Sequence, residues 1–286
     1  MNSAGIRERL QSGGRVYGTM VTSPSPLFLK ACADTGLDFA FFDMEHIPLD
    51  RSAVAWMCAA YDAAGFPPLV RVPSRDAQDA CIAVDAGAWG VVFPYVETPE
   101  EVRALVGAVK HRPLKGKRLA DRMALSSQHS DEYIRTHNRD RIAVANIESA
   151  AALDALDEIC AVDGLDWLLV GPHDLSVNLG IPEQYTQPEF LAAIDRIIQT
   201  GRDHGLAVGY HKGYGGAGLE QFVEWGKAGL NVIIHEADVL FFHEGLAKDL
   251  SWLRRELGDG RDGRDGSDGS DGRTGARDAP EGDITI

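Results

Sequence analysis

The sequence predicts an α/β protein with a (β/α)8 TIM-barrel fold. Short apolar segments alternate with amphipathic segments of helical periodicity along residues 15–257. That alternation is typical of a parallel sheet in which a helix follows each strand. Eight strand–helix pairs in about 240 residues also match the size of an eight-stranded barrel.

The residues at the ends of the helical segments support this prediction. Most helical segments open on Ser, Asp or Thr and close on Gly, as helices commonly do. The main alternative is a doubly wound open sheet, which usually has a glycine-rich phosphate turn after its first strand. The segment "GTMVTSPSP" is not such a turn, which favours the barrel. The eight predicted strands are residues 16–21, 38–43, 68–72, 90–96, 142–148, 166–171, 206–211 and 231–236.

Composition narrows the classes of function and of partner. The chain has 286 residues, of which 44% are hydrophobic, so it can bury a large core. Its formal net charge of −15 argues against a nucleic-acid partner, because phosphate backbones require clustered Lys and Arg. The N-terminus lacks a signal-peptide core, and no segment approaches the ~20 apolar residues of a membrane span. Four cysteines without a CxxC pair suggest free thiols in a reducing compartment. We therefore expect a cytoplasmic protein without a membrane partner.

Two regions differ in composition. Residues 1–257 are predicted to form the barrel domain, and residues 258–286 a disordered tail rich in Gly, Asp and Arg. The tail has almost no apolar residues before its end, so burial cannot offset the entropy of ordering it. Glycine recurs every third residue in part of the tail, but the repeat is too short and proline-poor for a triple helix.

Ionisable side chains follow several predicted strands. In a barrel of this kind the carboxyl ends of the strands meet at one end, where catalytic residues lie. Glu148 and Asp174 follow neighbouring strands and would face each other there. Two carboxylates suit a hard divalent cation such as Mg²⁺ or Mn²⁺, and no Cys or His cluster has zinc spacing. An ordinary polar loop is the alternative for the segment "FFDMEH" taken alone. The strand-end residues are Asp43, Glu45, His46, Arg71, Asn146, Glu148, His173, Asp174, Ser176, His211, Lys212, His235 and Glu236.

The sequence resembles the HpcH/HpaI family of metal-dependent pyruvate aldolases. The resemblance covers roughly residues 5–257 and rests on "FDMEH", "VRVPS", "DAGAWGVVFPYVETPEE", "IESAAAL" and "VGPHDLSVNLG" in this order. It implies a class II aldolase that reversibly cleaves a 4-hydroxy-2-oxo acid to pyruvate and an aldehyde. It also implies a homo-oligomer, a trimer or hexamer, and the apolar segment 239–257 agrees with subunit packing.

The resemblance also implies roles for individual residues. Glu148 and Asp174 would hold the divalent ion, Mg²⁺ or Mn²⁺ with Co²⁺ as a third candidate, and Asp174 would also lie against the substrate. Arg71 would stabilise the enolate of pyruvate at its keto oxygen. His46 would be the general base, acting through a water molecule. Asp43 would orient a metal-bound water.

Asp85 matches an aspartate that raises the basicity of the histidine base. However, Asp85 precedes the fourth strand, which places it at the end of the barrel opposite to His46 of the same chain. Contact across a subunit interface would resolve this conflict. A helix-capping role is the alternative.

The sequence departs from the family at positions that face the substrate. Asn146 replaces a glutamine, and His173 replaces a small residue whose backbone N–H holds the pyruvate carboxylate. Leu119 and Glu236 each replace a glycine. These departures predict unchanged chemistry with an unusual aldehyde acceptor.

Other functions remain open at this point. A Schiff-base aldolase would need a buried lysine, and Lys212 lies in a glycine-rich segment that suggests a solvated side chain. An oxaloacetate decarboxylase or a decarboxylating condensation enzyme would use the same enolate. A non-catalytic barrel that serves as a binding protein would have lost His46, Arg71 or a carboxylate, and none is missing. A CoA-ester lyase would need basic positions that we do not find.

Overall fold

The computed structural model describes residues 3–124, 132–213 and 217–258. The strands within these ranges are β1 Val16–Met20, β2 Phe39–Asp43, β3 Pro68–Arg71, β4 Gly90–Phe93, β5 Ile142–Ile147, β6 Trp167–Val170, β7 Ala207–Lys212 and β8 Val232–Ala237. They pair in parallel in chain order, and β8 pairs with β1 to close a barrel. The predicted (β/α)8 fold is confirmed.

All eight predicted strands are present, and the fourth differs most from its prediction. This strand ends at Phe93 rather than at residue 96. Pro94 has no N–H to donate to a neighbouring strand, and Tyr95 has a positive φ of +49°. These two residues turn the chain out of the sheet, although Tyr95 and Val96 continue the apolar run in the sequence.

Helices connect the strands of the barrel, and one further helix follows β8. Several begin at the caps that the sequence suggests: Asp50 accepts a hydrogen bond from the N–H of Ala53, and Thr98 forms a capping box with Glu101. The helices are α1 Ser3–Gln11, α2 Pro26–Cys32, α3 Arg51–Ala63, α4 Ala77–Asp85, α5 Pro99–Lys110, α6 Gly116–Ala124, α7 Glu132–His137, α8 Ala150–Asp154, α9 Leu156–Cys160, α10 Pro172–Asn178, α11 Pro188–Asp203, α12 Leu219–Ala228 and α13 Asp238–Leu257.

Large aromatic side chains fill the barrel interior near the amino ends of the strands. The rings of Phe39 and Trp167 meet edge to face with centroids 6.1 Å apart, and Trp89 packs on Trp167 at 5.6 Å. Gly18 leaves room for Phe39, because a Cβ at position 18 would lie 2.5 Å from its ring. The interior at this end is therefore a packed apolar floor, and the polar interior residues lie towards the carboxyl ends.

The chain divides into two units after residue 238. The described part of the second unit is most of α13, which exposes Phe242, Leu246 and Trp252. The predicted domain boundary after residue 257 stays a prediction, because residues 259–286 lie outside the described residues. Among the described helices, none combines the length and the hydropathy that a membrane crossing requires.

Candidate active site

A buried ion pair joins the ends of β2 and β3. Asp43 and Arg71 are register partners in the parallel pair. Arg71 donates from Nε to Asp43 Oδ1 at 2.9 Å and from Nη2 to Oδ2 at 2.6 Å. The side chains are 7% and 1% exposed. Burial alone would raise the pKa of Asp43, but the hydrogen bonds and charge of Arg71 outweigh it, so the pKa of Asp43 lies below its usual value.

The loop after β2 brings two more ionisable groups to this pair. The N–H of Glu45 donates to Asp43 Oδ1 at 3.0 Å, which turns the chain at the strand end. Glu45 Oε2 then lies 3.3 Å from Arg71 Nη1 and 3.5 Å from His46 Nε2. Burial raises the pKa of Glu45, and Arg71 only partly opposes this effect. His46 is about half exposed, so it can meet both Glu45 and a ligand in the mouth of the barrel.

Glu148 follows β5, and only one of its two carboxylate oxygens accepts a hydrogen bond from the described residues. Its Oε1 accepts a 2.6 Å hydrogen bond from the N–H of Tyr95, while its buried Oε2 has no hydrogen-bond partner among the described residues. Burial raises its pKa against the opposing charge of Arg71. Gly171, at the end of β6, makes room for this side chain, because a Cβ at position 171 would overlap Glu148 Oε2.

Helix α10 starts directly after Gly171 and carries Asp174 in its first turn. Asp174 is half-buried, and its charge contributes to the raised pKa values of both Glu45 and Glu148. His173 is exposed, with its Nδ1 3.6 Å from Glu183 Oε1. The carboxyl ends of β2, β3, β5 and β6 thus bring Glu45, Arg71, Glu148 and Asp174 within electrostatic reach of one another.

Two further polar side chains lie in the barrel interior near this cluster. Asn146 is fully buried, and its amide makes no hydrogen bond of ordinary geometry to the described residues, although it lies close enough to Glu148 to lower its pKa. The ring of His211 packs edge to face on Phe41 at 5.3 Å, and its buried Nε2 has no described partner. Burial lowers the pKa of His211 to about 3, with Arg71 adding to the effect, so this imidazole is neutral near pH 7.

The carboxylates fit a hard cation. A buried carboxylate with an unpartnered oxygen and a raised pKa is stabilised when a positive ion approaches it. Oxygen donors are also the ligands that Mg²⁺ and Mn²⁺ prefer. No group of three or more His, Cys, Asp or Glu side chains with metal-binding geometry occurs in the described ranges. An ion held by Glu148 and Asp174 would therefore need further ligands from water and substrate.

The structure places Asp85 away from this cluster. Asp85 ends α4, which leads to the amino end of β4, whereas the cluster lies at the carboxyl ends. Its carboxylate forms an ion pair with Arg112 and is 68% exposed. Within one chain Asp85 therefore does not contact His46, as its position before the fourth strand predicts.

The expectation of a solvated Lys212 is wrong. Lys212 is the last residue of β7, its side chain is 14% exposed, and it forms an ion pair with the buried Glu236. The glycines after Lys212 suggested an open loop. Pairing with β8 instead holds the lysine next to a carboxylate that comes from the neighbouring strand.

Sequence reasoning gave no role to three residues of the cluster. Glu45 stands in the "DMEH" segment, and its proximity to Arg71 could have been inferred from the pairing of β2 with β3. Tyr95 contributes a backbone N–H, for which side-chain chemistry gives no signal. Gly171 precedes Pro172 at the start of α10, and only the packing against Glu148 shows why no side chain fits there.

The family model described as HpcH/HpaI aldolase/citrate lyase matches residues 17–233. A hydroxypyruvate/pyruvate aldolase of Roseovarius nubinhibens is 30% identical over 80% of this chain and 91% of its own. The crystal structure of a family protein from Burkholderia cenocepacia J2315 superposes with a TM-score of 0.74 and 30% identity, covering 87% of this chain and 99% of that chain. The citrate synthase SbnG has a TM-score of 0.75 and 27% identity, covering 89% and 99%.

The Asp43–Arg71 pair leads to a prediction about stability. Asp43→Asn removes the charge and leaves a buried guanidinium without its main counter-charge, so the free energy of unfolding should fall by about 3–5 kcal/mol. Urea unfolding at pH 7 measures the loss. Asp121→Asn, which breaks an exposed pair with Lys117, is the matched control and should cost at most about 1 kcal/mol.

The same pair predicts a pH dependence. Because the folded pKa of Asp43 lies below its unfolded value of about 3.9, its contribution is fully present above that value and is lost as the pH falls through the folded pKa. The stability difference between wild type and Asp43→Asn should be constant at neutral pH and shrink below about pH 4. A difference that grows on acidification would contradict this assignment.

Proposed function

Because this chain belongs to the HpcH/HpaI aldolase/citrate lyase family, we propose that it is a class II aldolase that reversibly joins pyruvate to an aldehyde. The product of the joining reaction is a 4-hydroxy-2-oxo acid. The aldolase function predicted from the sequence is confirmed by the family and by relatives that bear aldolase names. The observation that carries the detailed proposal is the cluster of Arg71, His46 and two carboxylates at one end of the barrel.

Glu148 and Asp174 are the residues that would hold a divalent ion, Mg²⁺ or Mn²⁺. The unpartnered Oε2 of Glu148 and the nearby charge of Asp174 support this assignment. A bound ion supplies Lewis-acid polarisation of the keto group and so makes the neighbouring methyl protons more acidic.

Arg71 stabilises the negative charge that develops on the keto oxygen. Two of its five N–H groups donate to Asp43, which leaves other donors for a substrate oxygen. The bidentate pair fixes the plane of the guanidinium before substrate arrives, and a fixed donor does not have to reorganise during the reaction. Asp43 thereby orients Arg71, in addition to its proposed contact with a metal-bound water.

His46 moves the proton. It removes a proton from C3 of pyruvate through a water molecule, and the C–H electron pair becomes the C2–C3 double bond of the enolate. C3 then attacks the aldehyde carbonyl carbon, and the resulting alkoxide takes up a proton to give the 4-hydroxyl group. In the cleavage direction the hydroxyl proton leaves, the C3–C4 bond breaks, and the enolate is protonated at C3.

Asn146 and His173 are both proposed to contact the substrate. Asn146 is a buried amide with free hydrogen-bonding capacity, suited to a polar group that enters the barrel. His173 lies in the first turn of α10, where backbone N–H groups favour a carboxylate such as that of pyruvate. The exposed His173 ring then borders the region of the aldehyde.

The enzyme is further proposed to be a homo-oligomer, either trimer or hexamer. α13 exposes apolar side chains along much of its length, and a groove of about 420 Å³ on the barrel unit is bordered by Tyr17, Leu219 and Val223, all exposed. A second copy of the chain would cover such surfaces. In that assembly Asp85 of one chain can serve His46 of another, which is the role that the resemblance implies.

The proposed chemistry predicts exchange of the pyruvate methyl protons in deuterated water. Exchange should depend on Mg²⁺ or Mn²⁺ and need no aldehyde, because enolate formation precedes attack on the acceptor. His46→Ala and Arg71→Lys should each slow it by ~10²–10⁴-fold, since the first loses the base and the second the bidentate guanidinium. Proton NMR of the methyl signal measures the rate.

A matched control for the histidine variant is His204→Ala, since His204 lies beyond the end of α11 and pairs with the exposed Asp157. Its exchange rate should equal that of wild type. If wild type with metal exchanges no protons but releases CO₂ from oxaloacetate, the enzyme is a decarboxylase rather than an aldolase. Absence of both reactions would overturn the enolate mechanism.

The metal assignment predicts that Glu148→Gln abolishes binding of Mn²⁺ while the fold persists. The amide keeps the size of the side chain but removes the charge that attracts the ion. Electron paramagnetic resonance of free Mn²⁺ measures binding, and circular dichroism checks folding. Glu189→Gln, on the exposed first turn of α11, is the control and should bind Mn²⁺ as wild type does. Full turnover in excess chelator would exclude the assignment.

The proposed assembly predicts that charge on the apolar surface of α13 separates the subunits. The double variant Phe242→Glu/Trp252→Glu should sediment at a lower mass than wild type at micromolar concentration. The exposed Lys248→Glu on the same helix changes charge without removing apolar surface, and it should leave the mass unchanged. A monomeric wild type in analytical ultracentrifugation would refute the oligomer.

A further inference from the structure

Tyr95 has an unfavourable backbone conformation next to the candidate active site. Its φ of +49° lies in the left-handed region, which a bulky residue other than glycine rarely adopts. Such residues persist where the surroundings hold them in place, and they concentrate at functional sites. Hydrogen bonds to neighbouring side chains hold Tyr95 in this conformation.

Each polar group of Tyr95 has a defined partner. The N–H donates to Glu148 Oε1 at 2.6 Å, and the carbonyl oxygen accepts from Arg75 Nη1 at 2.9 Å. The hydroxyl group bonds with the side-chain amide of Asn178, with Nδ2 at 2.9 Å. Arg75 is held in turn by Glu101 at 2.9 Å. The turn after β4 is thus fixed from three directions.

Asn178 extends this network to both candidate metal ligands. Its Nδ2 lies 3.0 Å from the carbonyl oxygen of Asp174 and 3.4 Å from that of Glu148. Asp174 and Asn178 are one turn apart on α10, while Glu148 follows β5. Tyr95 and Asn178 therefore connect the two elements that carry the carboxylates.

We propose that Tyr95 is a positioning residue for the metal-binding carboxylates, acting together with Asn178. Its N–H engages Oε1 of Glu148 and so directs the unpartnered Oε2 to the ion, while its hydroxyl group ties this turn to α10 and Asp174. Groups that hydrogen-bond metal-binding carboxylates orient them and contribute to metal affinity. The left-handed conformation allows the backbone and the side chain of one residue to reach both elements. This inference rests on the metal site of the proposed function.

A purely structural role makes a different prediction. If the turn only ends β4, glycine at position 95 removes the backbone strain and leaves metal binding unchanged. If Tyr95 positions the carboxylates, Tyr95→Gly keeps or raises the unfolding midpoint but weakens metal binding. Stability and affinity then move in different directions, which loss of a structural contact does not produce.

The test compares Mn²⁺ affinities of the full chain by electron paramagnetic resonance, with the unfolding midpoint measured on the same samples. Tyr95→Phe and Asn178→Ala should each weaken binding on the order of tenfold. The double variant should be no weaker than Asn178→Ala alone, because both changes break the same link. Tyr95→Gly should show weaker binding at an unchanged or higher midpoint.

Two matched controls are available. Asn138→Ala removes an amide that donates to the carbonyl oxygen four residues earlier and to that of Arg112, both at 2.8 Å, which resembles the geometry of Asn178 away from the site. It should lower the midpoint without changing Mn²⁺ affinity. Tyr133→Phe, at an exposed tyrosine on α7, should leave the Mn²⁺ affinity unchanged.

The outcomes separate the two proposals. If wild type binds Mn²⁺ and Tyr95→Phe binds it equally well, the positioning role is overturned while the metal site stands. Equal losses of affinity in Asn138→Ala and Asn178→Ala would also overturn it, because general destabilisation would explain both. If wild type itself does not bind Mn²⁺, the metal assignment in the proposed function fails.

Discussion

A guanidinium that is removed from water needs a carboxylate at hydrogen-bonding distance, and the candidate active site is built around this requirement. Arg71 is almost fully buried, and Asp43 meets it with two hydrogen bonds because β2 and β3 place the two residues side by side. Asp43 also accepts the N–H of Glu45, which turns the chain and sends His46 towards the mouth of the barrel. One ion pair therefore sets the positions of the Arg71 guanidinium and of His46, the proposed base.

On the other side of the barrel mouth, a buried carboxylate is only partly paired. Glu148 is as deeply buried as Asp43, yet only one of its oxygens has a partner among the residues that the structure describes. Burial raises the pKa of Glu148, whereas Arg71 keeps the pKa of Asp43 low. A fully paired carboxylate organises the protein, whereas a half-paired one has remaining capacity for a ligand. This difference distinguishes Asp43 from Glu148, although both lie at the same end of the barrel.

One departure from the family pattern, Glu236, lies at a position with an unusual backbone conformation. Glu236 stands where the resemblance places glycine, and its φ is +52°, a value that glycine adopts without strain. The carboxylate is buried and pairs with Lys212 at the end of β7. A charged side chain has thus been accepted at a strained position where a lysine from the neighbouring strand can neutralise it. Both residues lie at the barrel end that carries the proposed chemistry.

The sequence by itself determined the barrel, its eight strands and the ionisable residues at their ends, because hydrophobic periodicity and capping act over a few neighbouring positions. It also placed Asp85 at the far end of the barrel. Only the tertiary structure decided which groups meet: that Asp43 holds Arg71, that Lys212 pairs with Glu236, and that the N–H of Tyr95 reaches Glu148. These contacts join residues at least 24 positions apart, through strand register, backbone groups and burial, and local sequence patterns do not encode those features.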